Sequence, residues 1–162
     1  MGIPAFLAEL RQVVGQRPLW LSGVLAVVVD DDGRVLLGRR ADNGRWSVIS
    51  GIIDPGEQPA DAVVRECLEE TGVTVRPEAL TSVTVSRMLS YPNGDQAQYL
   101  ELTFRCRPLA GEARVNDDES LEVGWFAQDA LPDLEDSIRE RIRLALAGND
   151  AAHFELTEVP AT

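Results

Sequence analysis

Apolar residues recur at helical spacing in three stretches of the chain, with strand-like runs between them. Phe6, Leu7, Leu10, Val13 and Val14 predict a short amphipathic helix over residues 4–15, with Pro4 near its start and Gly15 at its end. Residues 20–30 and 34–40 read as two antiparallel strands joined by Asp31-Asp32-Gly33. This acidic turn lacks the alternating ligands and closing glutamate of a calcium loop, so a hairpin is expected. Residues 43–57 carry Gly and Pro around short apolar pairs, the pattern of a loop, a short strand and a loop. A second helix is expected over 59–70, with Pro59 early in it and Gly72 just past its end. Runs at 81–89 and 98–106 follow, joined through Asn93-Gly94, a strong hairpin signal. A further strand is expected over 120–128 and an amphipathic helix over 134–147, closed by Gly148. The tail from Asn149 shows no period and is expected to fray. Strands outnumber helices and do not alternate with them, which predicts an α+β fold in one domain over residues 1–162.

The helix over 59–70 holds the chemistry. Glu66, Glu69 and Glu70 stand at i, i+3 and i+4 and span an arc of roughly 100°. Val63, Val64, Cys67, Leu68 and Thr71 are expected to form the apolar face on the other side. Two carboxylates about 5 Å apart repel by about 3 kcal/mol at an effective dielectric near 20. Arg65 can offset part of that repulsion, and a divalent cation more of it, because hard cations take oxygen ligands and bridge carboxylates to phosphates.

Composition narrows the function classes. The formal net charge is −12, from 27 acidic and 15 basic residues, and every basic residue is arginine. Such a surface argues against binding to nucleic acid polymers or anionic membranes. It is compatible with small phosphate ligands, since a bound metal reverses the local field. His153 is the sole histidine in the sequence, so a histidine-based triad or a His-rich zinc site is excluded. Two cysteines, no basic start followed by an apolar run, and no apolar stretch near 18 residues lead to an expectation of a reduced, cytoplasmic protein.

The segment Gly51–Val73 resembles the Nudix box: G, five residues, E, seven residues, R-E-U, one residue, E-E, one residue, G-U, where U is a bulky aliphatic. Gly51, Glu57, Arg65, Glu66, Glu69, Glu70, Gly72 and Val73 match, and Cys67 departs at a U position. The resemblance implies an α/β/α sandwich with a mixed β-sheet and a Mg²⁺-dependent pyrophosphohydrolase, with Mn²⁺ as a substitute. It implies Glu66 and Glu70 as metal ligands, Glu69 sharing a second ion, and Glu57 paired with Arg65 to orient the cluster. A backbone carbonyl near Gly51 assists the metal in this family. A further loop glutamate precedes a tryptophan by six positions in MutT-like members, as Glu119 precedes Trp125. Glu119 is therefore a candidate ligand or base, with Asp117 and Asp118 as neighbours that could replace it. The family's W-x-L-P-G-G becomes Trp46-Ser47-Val48-Ile49-Ser50-Gly51, which loses the Pro and the first Gly.

Substrate contacts are expected from Arg39 or Arg40, whose guanidinium forks suit phosphate. Strand alternation lets one of them face the site, and Arg39 is the expected one. Trp46 and Tyr91 are candidates for stacking on a base. The downstream signatures of NADH and coenzyme A hydrolases are missing. Leu89 stands where ADP-ribose hydrolases often carry Pro, and Tyr91 lies near the tyrosine of diadenosine polyphosphate hydrolases. ADP-ribose-like substrates and (d)NTPs, oxidised ones included, both fit the pattern. A homodimer is expected, as in many family members.

Overall fold

A computed structural model describes residues 3–157. The element order is α1 (Ala5–Val14), β1 (Leu19–Val28), β2 (Val35–Arg40), β3 (Trp46–Ser47), β4 (Ile49–Ile52), α2 (Pro59–Thr71), β5 (Thr74–Val85), β6 (Leu89–Ser90), β7 (Gln96–Ala110), β8 (Ser120–Phe126), α3 (Asp136–Ala147) and β9 (His153–Phe154). Among the described residues one sheet runs β4-β1-β7-β5-β9, with β6 also paired to β7, and a smaller one runs β3-β2-β8. β1 is parallel to β7 and antiparallel to β4, and β5 is antiparallel to β7, so the sheet is mixed. This is the expected α+β architecture, an α/β/α sandwich.

Strand alternation sorts the core into two faces. On β1, Val24, Ala26 and Val28 join Leu36 of β2 and Val63 and Cys67 of α2. The intervening Leu25 and Val27 join Val35 and Leu37 of β2 and Ile142 and Ala145 of α3. A third, smaller cluster sets Leu7 of α1 against Leu21 and Ala97, with Tyr91 and Tyr99 packed on it.

Several elements differ from the sequence pattern. β5 and β7 are longer than the runs at 81–89 and 98–106, because register shifts within β5 let the pairing continue past Pro77. Residues 46–52 form two short strands in different sheets, with Val48 buried in the α3-side core and Ile49 in the α2-side core. Within the described part of the tail His153 and Phe154 pair in parallel with Ser82 and Val83, though both side chains are exposed, and residues 158–162 lie outside the described residues. In α1 only Leu7 is buried, and Val13 lies open to solvent. Asp30 closes the β1–β2 turn by accepting from the backbone N–H groups of Asp32 and Arg34, as a hairpin turn and not a calcium loop. Cys67 and Cys106 are both buried and free. Among the described residues no helix is long and apolar enough to cross a membrane.

Candidate functional site

The glutamates of α2 do not lie opposite its apolar face. Glu66 and Glu70 are 6% and 8% exposed, and Leu68 is 45% exposed. At about 100° per residue, Ala62, Glu66, Glu70, Val63, Cys67 and Thr71 fill one continuous arc, which is the arc that packs on the sheets. Leu68 lies outside it. The two carboxylates thus lie within the buried face, between Ala62 and Val63, and Glu69 sits just past Ala62 toward solvent.

A close backbone approach makes room for Glu66. A Cβ built on Gly51 would overlap the Cδ and Oε1 atoms of Glu66, so a side chain there excludes the observed carboxylate position. Gly51 is held on β4, opposite Val24 of β1.

Arg65 ties the cluster together. Its Nε and Nη2 donate to Glu57 Oε1 and Oε2 at 2.7 and 2.8 Å, a two-point fork. Nη2 also donates to the Ile52 carbonyl at 3.1 Å. Nη1 donates to Glu66 Oε1 at 2.7 Å and Glu69 Oε2 at 3.3 Å. The Glu57–Arg65 pair expected from the sequence is therefore present, and the same guanidinium reaches the helix glutamates.

Burial shapes the protonation of the two inner carboxylates. Desolvation pushes Glu66 up to about 7 against the pull of Arg65. Glu70 is pushed up to about 8, by burial first and then by the charges of Glu66, Glu119 and Asp117. Glu57 moves the other way, held below the usual carboxylate range by the hydrogen bonds from Arg65.

The loop that carries Glu119 is anchored on the end of α2. The last four carbonyls of the helix all find donors: Leu68 from Gly72 N–H, Glu70 from Asn116 N–H, Thr71 from Arg114 N–H, and both Leu68 and Glu69 from the Asn116 side chain. Gly72, at φ 70°, ends the helix in the left-handed conformation. Farther along the loop, Ala41 N–H donates to the Glu119 carbonyl at 2.7 Å. These contacts bring Glu119 and Asp117 within electrostatic reach of Glu70, and Glu119 within reach of Glu66.

The two arginines have different partners. Leu36 faces α2 and Leu37 faces α3, and the alternation continues through Gly38, whose missing side chain faces Ile49 on the α2 side. Arg39 follows Leu37 and pairs with Glu122 on the neighbouring strand at 3.4 Å. Arg40 is the arginine whose charge acts on Glu70 and Tyr91. Arg39 and Arg40 are both expected phosphate contacts, and Arg40 is the one within electrostatic reach of Glu70.

The Trp46 ring meets Phe126 edge-on at 4.9 Å and packs, partly buried, on the α3-side core. Tyr91 lies within electrostatic reach of Arg40 and shares a 2.8 Å hydrogen bond with the hydroxyl of Tyr99. Tyr99, Asp42 and the Ile52 carbonyl carry no sequence motif and emerge only from the fold.

Among the described residues no three His, Cys, Asp or Glu side chains are already gathered as a metal-ligand group. The donor chemistry nevertheless fits a hard divalent cation: carboxylate oxygens of Glu66, Glu69 and Glu70 on one side of the helix, beside a backbone cradle at Gly51 that a Cβ would fill.

A NUDIX domain model matches residues 20–146. The chain is 40% identical over 114 residues to a MutT-like protein of Streptomyces ambofaciens, covering 70% of this chain and 68% of that one. It is 31% identical over 137 residues to the 8-oxo-dGDP phosphatase NUDT18 of Mus musculus, covering 81% of this chain but 38% of that longer protein. Among solved structures, an ADP-ribose pyrophosphatase from Streptococcus suis superposes with a TM-score of 0.63 at 26% identity, over 83% of this chain and 96% of that one. With the domain match spanning most of its length and the glutamate cluster framed by Gly51 and Arg65, the chain belongs to the Nudix family and is a Nudix hydrolase.

Proposed function

We propose that this Nudix hydrolase is a Mg²⁺-dependent pyrophosphohydrolase that cleaves a phosphoanhydride in a nucleoside diphosphate linked to a second moiety, of the ADP-ribose or dinucleoside polyphosphate kind, with Mn²⁺ as a substitute ion. The observation that carries the reading is the pair of buried carboxylates, Glu66 and Glu70, set beside the side-chain-free backbone of Gly51. Glu66, Glu69 and Glu70 would hold the cation, with the Gly51 backbone and Glu119 as further oxygen donors. When bound, the ion neutralises phosphate charge and lowers the pKa of the attacking water.

The remaining work belongs to the chain's own groups. Glu57 fixes Arg65 by a two-point fork, and Arg65 in turn fixes the Glu66 carboxylate at 2.7 Å. A carboxylate held in one orientation is suited to take the proton from the attacking water. Glu66 is therefore assigned as the base and Glu119, exposed on its loop, as the second candidate. Arg40 supports phosphate binding, since its charge lies on the same side as Glu70.

A second reading is favoured by the relatives: the 8-oxo-dGDP phosphatase and MutT-like matches support an oxidised or ordinary (d)NTP or (d)NDP as substrate. A non-catalytic nucleotide sensor fits less well, because every box glutamate is retained. Phosphate release from ADP-ribose, diadenosine polyphosphates, NADH, nucleotide sugars and normal and oxidised (d)NTPs, with and without Mg²⁺, separates these readings. Glu66→Gln and Glu70→Gln are expected to lower kcat at least about 100-fold with the fold retained. Full activity in both variants would place the chemistry elsewhere. Apolar surface outside the site, including Trp20 and Val13, supports a homodimer, and a single species of monomer mass in sedimentation would remove it.

A further inference from the structure

Arg40 is gripped from one side. Its Nε donates to Asp42 Oδ1 at 2.9 Å and its Nη2 to Asp42 Oδ2 at 2.7 Å. The turn that carries Asp42 is itself closed, because Arg40 N–H donates to the Arg45 carbonyl, Gly44 N–H to the Arg40 carbonyl, and Arg45 N–H to Asn43 Oδ1. One edge of the guanidinium is thereby held against a fixed loop, and Nη1 makes no hydrogen bond among the described residues. The Arg40 charge acts on Glu70, Tyr91 and Tyr99. The hydroxyls of Tyr91 and Tyr99 are joined by one hydrogen bond, and two phenols sharing one bond keep one O–H proton to donate outward.

A diphosphate approaching Glu66 and Glu70 meets like charge. A cation within electrostatic reach of Glu70 counters that repulsion best if its orientation is set in advance, because a long arginine side chain otherwise samples many rotamers. Arg39 instead has Glu122 of the neighbouring strand as its ion-pair partner, at 3.4 Å. We propose that Asp42 is a positioning residue for the substrate diphosphate, acting through Arg40 to present Nη1, and that the Tyr91–Tyr99 hydroxyl pair supplies the facing donor. The proposal rests on the reading that this site takes a nucleoside diphosphate. It assigns Asp42 a supporting role, opposite to that of a latch which substrate must displace.

The test is ADP binding by calorimetry in Mg²⁺ to the wild type, Arg40→Ala, Asp42→Ala, the double variant and Tyr99→Phe, with folding checked by circular dichroism and Tm. Asp42→Asn, which keeps one acceptor, serves if Asp42→Ala fails to fold. Arg40→Ala and Asp42→Ala are each expected to weaken ADP about five- to tenfold, and the double variant no further than Arg40→Ala, because residues that act through one another are non-additive. Tyr99→Phe is expected to weaken ADP about threefold with the ring packing intact. On the substrate found by the nucleotide panel, KM should rise in Asp42→Ala with kcat within about twofold of wild type. Unchanged or tighter ADP binding in Asp42→Ala, or losses that multiply in the double variant, overturns the proposal for Asp42 while the functional reading stands. An unaffected Tyr99→Phe overturns the part assigned to the hydroxyl pair. No ADP binding and no Mg²⁺-dependent turnover by the wild type sinks the functional reading, and this inference with it.

Discussion

Gly51 lacks a side chain for a reason that lies on another element. A Cβ there would occupy the space of the Glu66 carboxyl group, so the smallest substitution displaces a site residue without touching its identity. Gly51→Ala is expected to lower kcat about 100-fold, the scale of a 1 Å misplacement in an active site, with a change in Tm of no more than a few degrees. Steady-state kinetics alongside thermal melting checks this, and wild-type turnover would remove the Gly51–Glu66 contact from the site. The fork between Arg65 and Glu57 was legible from the sequence, through the resemblance that matched both residues to one motif. The choice between Arg39 and Arg40 was not, because it turns on which sheet face the strand's odd and even residues meet. Leu36 and Leu37 set the faces of the strand by packing against α2 and α3 respectively, and the register with β8 then shifts between Arg39 and Arg40.

At the scale of elements, α1 and the β6–β7 hairpin form a clamp beside the site. Arg11 Nη2 donates to the Gln96 carbonyl at 2.7 Å, Nη1 to the Gly15 and Arg17 carbonyls, and Nε lies 3.5 Å from Asp95. Gln16 reaches the Asn93 carbonyl at 2.6 Å. The hairpin carries Tyr91, so α1 steadies one wall of the proposed substrate region. Arg11→Ala is expected to cost about 1 kcal/mol, since it leaves the partly buried Gln96 carbonyl unpaired while water can reach the exposed Gly15 and Arg17 carbonyls. Hydrogen exchange should then quicken over 89–99 more than in α2, and uniform protection would mean the clamp does not hold the hairpin. Asn93-Gly94 announced the hairpin correctly, but nothing in its neighbourhood announced α1 as its partner. That contact joins residues about 80 positions apart.

At the scale of the whole molecule, protonation of the buried carboxylates is coupled to stability. Glu66 and Glu70 are raised from 4.5 to about 7 and about 8, so the folded protein holds protons that the unfolded chain releases. Their stabilising contribution is complete below about pH 4.5 and is lost as pH climbs through 7 to 8. Glu57 and Asp42 are depressed, so their contribution is present above the usual carboxylate pKa and is lost on acidification through their lowered values. With a chelator present, Tm is expected to fall by at least about 5 °C between pH 5 and pH 8. If the carboxylates hold the proposed cation, saturating Mg²⁺ should flatten the profile, because a cation would bind their ionised form. Melting curves of the wild type and Glu70→Gln test this. A flat chelated profile, or one unchanged in Glu70→Gln, would show that burial does not govern these groups.

Taken by itself, the sequence determined the family, the helix that carries the glutamates and the pairing of Glu57 with Arg65. These are local facts: the i, i+3, i+4 geometry follows from the helical period, and the box spans a single short segment. The helix period alone set the angles between Glu66, Glu69 and Glu70, but not which side of the helix meets the sheets. Only the tertiary structure decided that Glu66 and Glu70 are buried while Leu68 is exposed, that the Arg40 charge lies within electrostatic reach of Glu70, and that Trp46 packs against Phe126. Tyr99 came to Tyr91 only through strand pairing across a hairpin. Each of these depends on register and on which face of a strand or helix finds the core, and those are set by contacts between distant segments.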